Sequence, residues 1–593
     1  MIKIAFAATL FAITFTAHLA AQNPPLASLK TVPPPRPSNL ERYVRDETAL
    51  IALGKTLFWD MQAGSDGRTA CATCHFHAGA DNRAQHQLAG PDAVMNQLLS
   101  PADSPFRRFA NANNNRSTLT VNKRQVTGSM GVVSRDFLDI QPGNDLDLSR
   151  SAPLTPAFHS NGVALRQVTG RNSPSVINAV YNVRNFWDGR ASNLFTGATP
   201  FGDSDSQLNA LALRNGRLEG EPVRIDNASL ASQAVGPALN SVEMSWAGRG
   251  WPHLGRKLLN LPPLGRQKVA PSDSVLGALA NSNGNGLLPE WSYTALIRAA
   301  FQPEYHASED LTEGFTQIEH NFALFWGLAI QAYESTLVSN DSRVDRFLEG
   351  QSDALNATEQ RGLIEFRDNG SRCTNCHNGP ELTAAGWSGV QLRSGNIASP
   401  ADLGFFRLGV RLIADDPGLG GNDGFGLPLF APSAAAAGTF KTPGLRNVEF
   451  TGPYFHDGSQ ATLEQVLDFY RRNGDFPAGG NLGPGIGNIR LGQNDRASIA
   501  AFLRALSDER VRFQRAPFDH PSLCVPVGHA ESAPGQIEAD PSTGGASAAD
   551  RWALVPQVGR DGAAVPLQTF DELLRGIGND GSRANSMTES CRP

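Results

Sequence analysis

Two short clusters in the 593-residue chain carry its clearest chemistry: Cys71-Ala-Thr-Cys74-His75 and Cys373-Thr-Asn-Cys376-His377. Two thiols at this spacing reach the two vinyl groups of one haem, and a histidine directly after them reaches the iron as proximal ligand. Zinc sites and redox dithiols also use paired cysteines. Neither explains a histidine following both pairs. The reading is covalent c-type haem, twice. Cys524 and Cys591 stand apart near the end, and an oxidising compartment would let them pair as a disulfide.

The opposite face of each iron either takes a ligand from elsewhere in the chain or stays open. Methionine is the usual strong-field partner in electron-transfer cytochromes. The chain has only 6 Met, none of them between Met244 and Met587. The module around Cys373 therefore has no local Met, which leaves His320, His456, His520 or a phenolate.

Other features place these clusters in a chain. Lys3, the apolar run Ile4 to Ala17 and the small residues Ala20 and Ala21 read as an export leader, residues 1–21. The run is short for a membrane span, so the mature protein is expected in the periplasm without one; the alternative is an uncleaved anchor. A formal charge of −6 gives no basic field for nucleic acid. Charged residues make up 18% and hydrophobic residues 40%, an ordinary globular balance, while 59 Gly and 39 Pro point to many loops.

Helices are expected at Glu47–Trp59, Ile318–Leu337, Thr358–Phe366, Leu463–Arg471 and Asp495–Leu506, the last with Asp495 as N-cap. The stretches 83–169, 195–229 and 261–289 read as irregular, and 532–549 as a linker. A weak repeat, "IALGKTLFWD" and "EQRGLIEFRD", precedes the two haem motifs, as two related modules would show.

Five blocks resemble the bacterial di-haem cytochrome c peroxidases and their relative MauG, which matures a tryptophan-derived cofactor. They are "LGKTLFWD…CATCH", "GRNSPSVINAVYNVRNFWDGRAS", "SQAVGPALNSVEM", "EQRGLIEFRDNGSRCTNCHNG" and "KTPGLRNVEFTGPYFHDGS…LEQVLDFY". The resemblance implies a mainly α protein with two cytochrome c-like domains, long insertions and a C-terminal extension. Expected limits are 22–310 for the peroxidatic domain, 311–515 for the electron-transfer domain and 516–593 for the extension, to which no role is assigned.

Residue by residue, the resemblance makes His75 proximal ligand of a peroxide-reacting first haem. The distal acid falls on Glu243, with Gln233 and Pro237 beside it; a carboxylate there can move a proton between peroxide oxygens. Some relatives close this site with a distal His, where this chain has Ala164; His159 is out of register, so an open first haem is expected. Trp187 falls between the two haems. His377 is proximal on the second haem and Tyr470 falls on its distal position, where peroxidases carry Met and MauG carries Tyr. Asn172 and the carbonyls of Thr451 and Pro453 match a calcium site. His456 falls near the second haem, and Ser371 replaces a MauG tryptophan used to draw electrons from protein.

The implied activity is reaction with hydrogen peroxide at the first haem, with electrons drawn through the second from a small redox protein or an oxidisable protein side chain. A non-catalytic two-haem electron carrier is the alternative, and oxygen-dependent cleavage, as in di-haem rubber oxygenases, a third.

Overall fold

A computed structural model describes residues 23–593 apart from 95, 206–208, 394–396, 478–481, 484–485, 534, 577–590 and 592–593. The leader expected at 1–21 lies outside the described residues. Among the described residues, no helix is long and apolar enough to cross a membrane.

The helix Glu47–Trp59 starts where expected, because the Asp46 carboxylate accepts from the amides of Thr48 and Ala49 at 2.8 and 3.0 Å. It packs against Phe322–Glu334, a helix almost wholly buried. The backbones meet at Gly54, where a Cβ would stand 1.8 Å from the Ala329 carbonyl oxygen. The second module repeats the device. Ala357–Arg367 crosses Gln493–Ala505 at Gly362, where a Cβ would stand 2.0 Å from the Ser498 oxygen. Gly54 and Gly362 hold the same place in the sequence repeat, so the repeat encodes one helix–helix contact used twice.

Two main apolar cores follow. The first gathers Phe58, Trp59, Leu254, Phe325, Trp326 and Tyr333, and also Phe518, Leu523 and Trp552 from beyond residue 515. The second gathers Val344, Leu363, Phe366, Leu467, Phe502 and Leu506. Phe322–Glu334 and Leu337 belong to the first core and Val344 to the second, while Phe450 and Val511 return to the first.

Three expectations need correction. The chain is less purely α than expected. The described residues hold fourteen α-helices, but also eight two-stranded antiparallel ribbons. Several ribbons lie in stretches read as loops: Met130–Val133 with Arg166–Val168, Arg135–Asp139 with Leu148–Ser151, and Asn209–Arg214 with Arg217–Pro222. The first of these ribbons is short and almost wholly buried, and the strands Arg135–Asp139, Leu148–Ser151 and Arg217–Pro222 are largely exposed, so a period-two pattern does not stand out. The expected linker carries short strands too, Glu531–Ala533 and Gln536–Ile537. Finally, Asp495 is not the N-cap of its helix. It sits three residues in, with its carboxylate accepting from the Gly492 amide at 2.7 Å.

Cys524 and Cys591 are joined by a disulfide, Cα atoms 5.6 Å apart. It fastens the extension, whose strands Leu523–His529 and Asp550–Val555 pair antiparallel against the first core.

Candidate active site

Each CxxCH borders its own cavity. The first is lined by Cys71, Cys74 and His75, and by Gln233, Pro237 and Glu243 from a different part of the chain. The second is lined by Cys373, Cys376, His377, His456 and Tyr470 among largely apolar side chains. Trp187 lines both.

The histidines are oriented alike. His75 Nδ1 lies 2.8 Å from the Gly79 carbonyl oxygen, and His377 Nδ1 3.2 Å from that of Leu382. A ring whose Nδ1–H is spent on a carbonyl presents Nε2 as a lone-pair donor. Burial holds both rings below the usual imidazole range, His377 at about 4, so both stay neutral and able to ligate at neutral pH.

Also lining the first cavity, Gln233 lies near the end of the short helix Ser229–Ala234 and its Oε1 is buried without a hydrogen-bond partner. Glu243 follows a turn set by Asn240, whose side-chain oxygen accepts from the amides of Val242 and Glu243. Burial raises the Glu243 carboxyl above its ordinary range, and the nearby Arg190 cation partly offsets this.

In the second cavity, Tyr470 sits near the end of Leu463–Arg471, edge-on to Phe469 and Phe455, and burial pushes its phenol up. The His456 ring stacks on Phe440 at 3.7 Å, and its Nε2 is buried without a partner. The other candidate ligands lie elsewhere. His520 stacks on Trp59 at 4.6 Å, and His320 Nε2 lies 2.6 Å from the Thr312 oxygen.

The seam between the cavities is tightly bonded. The Trp187 indole N–H donates to the Asn172 carbonyl at 2.7 Å, and its own carbonyl accepts from the Lys441 amide at 2.8 Å. His456 meets the indole edge-on at 6.4 Å. The Asn172 side chain donates to the Pro453 carbonyl at 2.5 Å, with Thr451 two residues earlier. Asn172 therefore links Trp187, through its carbonyl, to Pro453, through its side chain.

The family model described as di-haem cytochrome c peroxidase matches residues 48–134 and 150–353. The chain belongs to the di-haem cytochrome c peroxidase and MauG family. A cytochrome-c peroxidase, IdrP1, of Pseudomonas sp. (strain SCT) is 23% identical over 84% of this chain and 89% of the relative. The cytochrome c551 peroxidase of Pseudomonas aeruginosa is 28% identical over 58% of this chain and 66% of its own. MauG of Methylorubrum extorquens is 29% identical over 30% and 43%. Among solved structures, a MauG-like protein associated with microbial copper homeostasis aligns over 82% of this chain and 96% of its own, with 20% identity and a TM-score of 0.43. Membership implies two c-type haems and a peroxidase-type oxidoreductase at family level. The second CxxCH lies beyond the matched residues, and its assignment rests on the motif and its cavity.

The residues present fit such groups: thiols and an oriented imidazole border each cavity, with an unpartnered polar atom in the lining. Ala164 and His159 are not among the described residues lining the first cavity. His159 Nδ1 instead lies 2.9 Å from the Thr155 oxygen. Ser371 is buried, and its hydroxyl donates to the Phe366 and Asp368 carbonyls, closing the helix before the second motif.

Two buried groups escaped sequence reasoning. Glu334 lines the first cavity and is raised to about 8 by burial; Lys441 lines the second and is lowered to about 8. A single acid ending the apolar run "FALFWGLAIQAYE" was the available signal for Glu334.

Proposed function

We propose that the chain is an exported, periplasmic two-haem enzyme that reduces hydrogen peroxide at the first site with electrons delivered through the second. The observation that carries this reading is Trp187, which lines both cavities while a carboxyl and an amide line the first together with its CxxCH.

His75 and His377 would be proximal ligands, and Tyr470 would complete the second iron. When bound, the first haem supplies the iron that accepts peroxide's oxidising equivalents. The chain's own residues do the rest. Gln233 Oε1, free of other partners, accepts from the peroxide O–H and holds it. Glu243 takes the proton from one peroxide oxygen and returns it to the departing one; a carboxyl raised by burial is a stronger base for this step than a solvated one. Pro237 shapes the wall beside them. The balance is one peroxide, two protons and two electrons to two waters.

Trp187, fixed by Asn172 and Lys441, bridges the sites as electron relay. The donor is a small redox protein or an oxidisable side chain on a protein partner. Tyr470 and Ala164 favour the latter, the MauG-like variant. Asn172, Thr451 and Pro453 would hold one Ca²⁺ beside the seam, where oxygen donors suit it.

The test is the electronic and EPR spectrum of the ferric protein before and after stoichiometric peroxide. One high-spin and one low-spin haem, a rapid change on peroxide and loss of the low-spin signal in Tyr470→Phe are expected. Two low-spin haems inert to peroxide, before and after prior reduction, would overturn the proposal in favour of an electron carrier.

A further inference from the structure

Among the described residues beyond 515, Phe518, Leu523, Val525, Val527 and Trp552 pack into the first core. Their contacts converge on one side chain. Arg166 is buried, and its guanidinium touches three separate parts of the chain. Nε lies 2.8 Å from Asp550 of the extension, and the Trp552 ring lies 5.1 Å from the guanidinium carbon. A second nitrogen lies 3.0 Å from Asp66, whose carboxylate also accepts from the Arg68 amide and the Thr69 hydroxyl, just before Cys71. The third donates to the Gly131 carbonyl at 2.7 Å.

Gly131 and Arg166 belong to paired strands that back the turn carrying Glu243. A Cβ on Gly131 would stand 2.0 Å from the Val242 oxygen and 2.6 Å from that of Glu243, so only glycine allows this approach. The Gln167 side chain donates to the Ser241 carbonyl at 2.7 Å. The extension adds a backbone clasp. The Ala164 amide donates to the Ala546 carbonyl at 3.0 Å, and its carbonyl accepts from the Ala548 amide at 2.9 Å. His529, 3.0 Å from Asp550, reaches the Arg166 amide at 3.4 Å.

We propose that the C-terminal extension is a working part of the first-haem site: Asp550 and Trp552 fix Arg166, and the Arg166–Gln167 strand sets where Glu243 stands. Asp550, Trp552, Arg166 and Gln167 are positioning residues, since none is among the described residues lining the cavity. The inference rests on the reading of Glu243 as the peroxide acid–base group. Its logic is electrostatic as well as steric. A buried guanidinium demands counter-charge, and here that charge comes from two segments, Asp66 and Asp550. Removing one carboxylate leaves the cation under-compensated and loosens the strand it anchors.

The test uses the full-length protein with both haems attached and four variants: Glu243→Gln, Asp550→Asn, Asp550→Glu and Trp552→Phe. The rate of reaction with hydrogen peroxide at the first haem is measured by stopped flow across the acid-to-neutral range, with amide exchange over residues 130–133 and 240–244. Asp550→Asn is expected to slow the peroxide step by about tenfold or more, since small misplacements of a reacting group cost this much. It should also move the acid limb of the pH profile, raise exchange in both segments and leave the low-spin signal of the second haem unchanged. Asp550→Glu should recover part of the rate. A structural loss alone would lower yield or melting temperature without moving the pH profile.

An Asp550→Asn protein with parental rate, profile and exchange, alongside a slowed Glu243→Gln, would overturn the inference and leave the acid–base reading intact. A Glu243→Gln protein with parental rate would overturn both. If Asp550→Asn does not accumulate folded, Trp552→Phe decides by the same readouts, because it shrinks the ring that packs against Arg166 while leaving the charge pair intact.

Discussion

Glu334→Gln should stabilise the protein, by an amount that grows with pH. Glu334 is 5% exposed, lies at the end of an apolar helix and faces the first cavity; burial alone raises its carboxyl from 4.5 to about 8. The sign follows from the direction. A carboxyl whose folded pKa is raised favours the protonated fold. Its contribution is therefore intact below about pH 4.5 and is lost progressively up to about pH 8. Ionising it in place costs roughly 3 kcal/mol by neutral pH and about 5 kcal/mol above the raised pKa. Glutamine keeps the shape and never ionises. At about 2 °C per kcal/mol for a body of this size, the variant should melt about 6 °C higher at neutral pH and about 10 °C higher in mild alkali, with no difference in mild acid. Circular dichroism melts of the two-haem proteins at these three conditions measure it. A melting difference independent of pH would refute the reasoning, since shape and not charge would then be at work. A less stable variant at neutral pH would mean that the ionised carboxylate has a partner which stabilises it.

Trp187→Phe should leave the first reaction with peroxide within about twofold and slow electron delivery from the second site by about tenfold or more, equivalent to about 1.4 kcal/mol of barrier; double-mixing stopped flow separates the steps. Lys55→Met should cost about 3–5 kcal/mol in a urea titration, because Lys55 is fully buried between Asp273 at 2.8 Å and Asp519 at 3.6 Å and its loss strands both carboxylates. Asn172→Ala should lower Ca²⁺ affinity by about tenfold or more in calorimetry; unchanged affinity would remove Asn172 from the ion's ligands.

The parts of the fold visible in sequence are those with local causes. Asp46 before a run of good helix formers marks Glu47–Trp59, and "LEQVLDFYR" shows its own period. The two CxxCH motifs carry their chemistry within five residues each. The site was legible to the extent that its residues fall in recognisable blocks: Glu243, Gln233, Pro237 and Trp187 do line the first cavity, and Tyr470 the second. What stayed hidden depends on partners far along the chain. Arg166 pairs with Asp550 across 384 positions, and no local pattern announces that. The half-exposed strands Arg135–Asp139 and Leu148–Ser151 carry too weak an alternation to separate from loop, and Asp495, read as an N-cap, caps instead from the third helical position.

The extension also sets an order of events. Arg83, close to Cys74, is bonded through its guanidinium to the Pro526 carbonyl, and His77 contacts the Gln568 carbonyl across 491 positions. Contacts that distant close late, because loop entropy must be met before they contribute. During synthesis the first CxxCH therefore emerges hundreds of residues before the strands that will cover it. Until those strands are in place, the contacts of Arg83 with Pro526 and of His77 with Gln568 are not made. The last strands then seal the first motif, and an unsealed chain would present itself as an incompletely folded one.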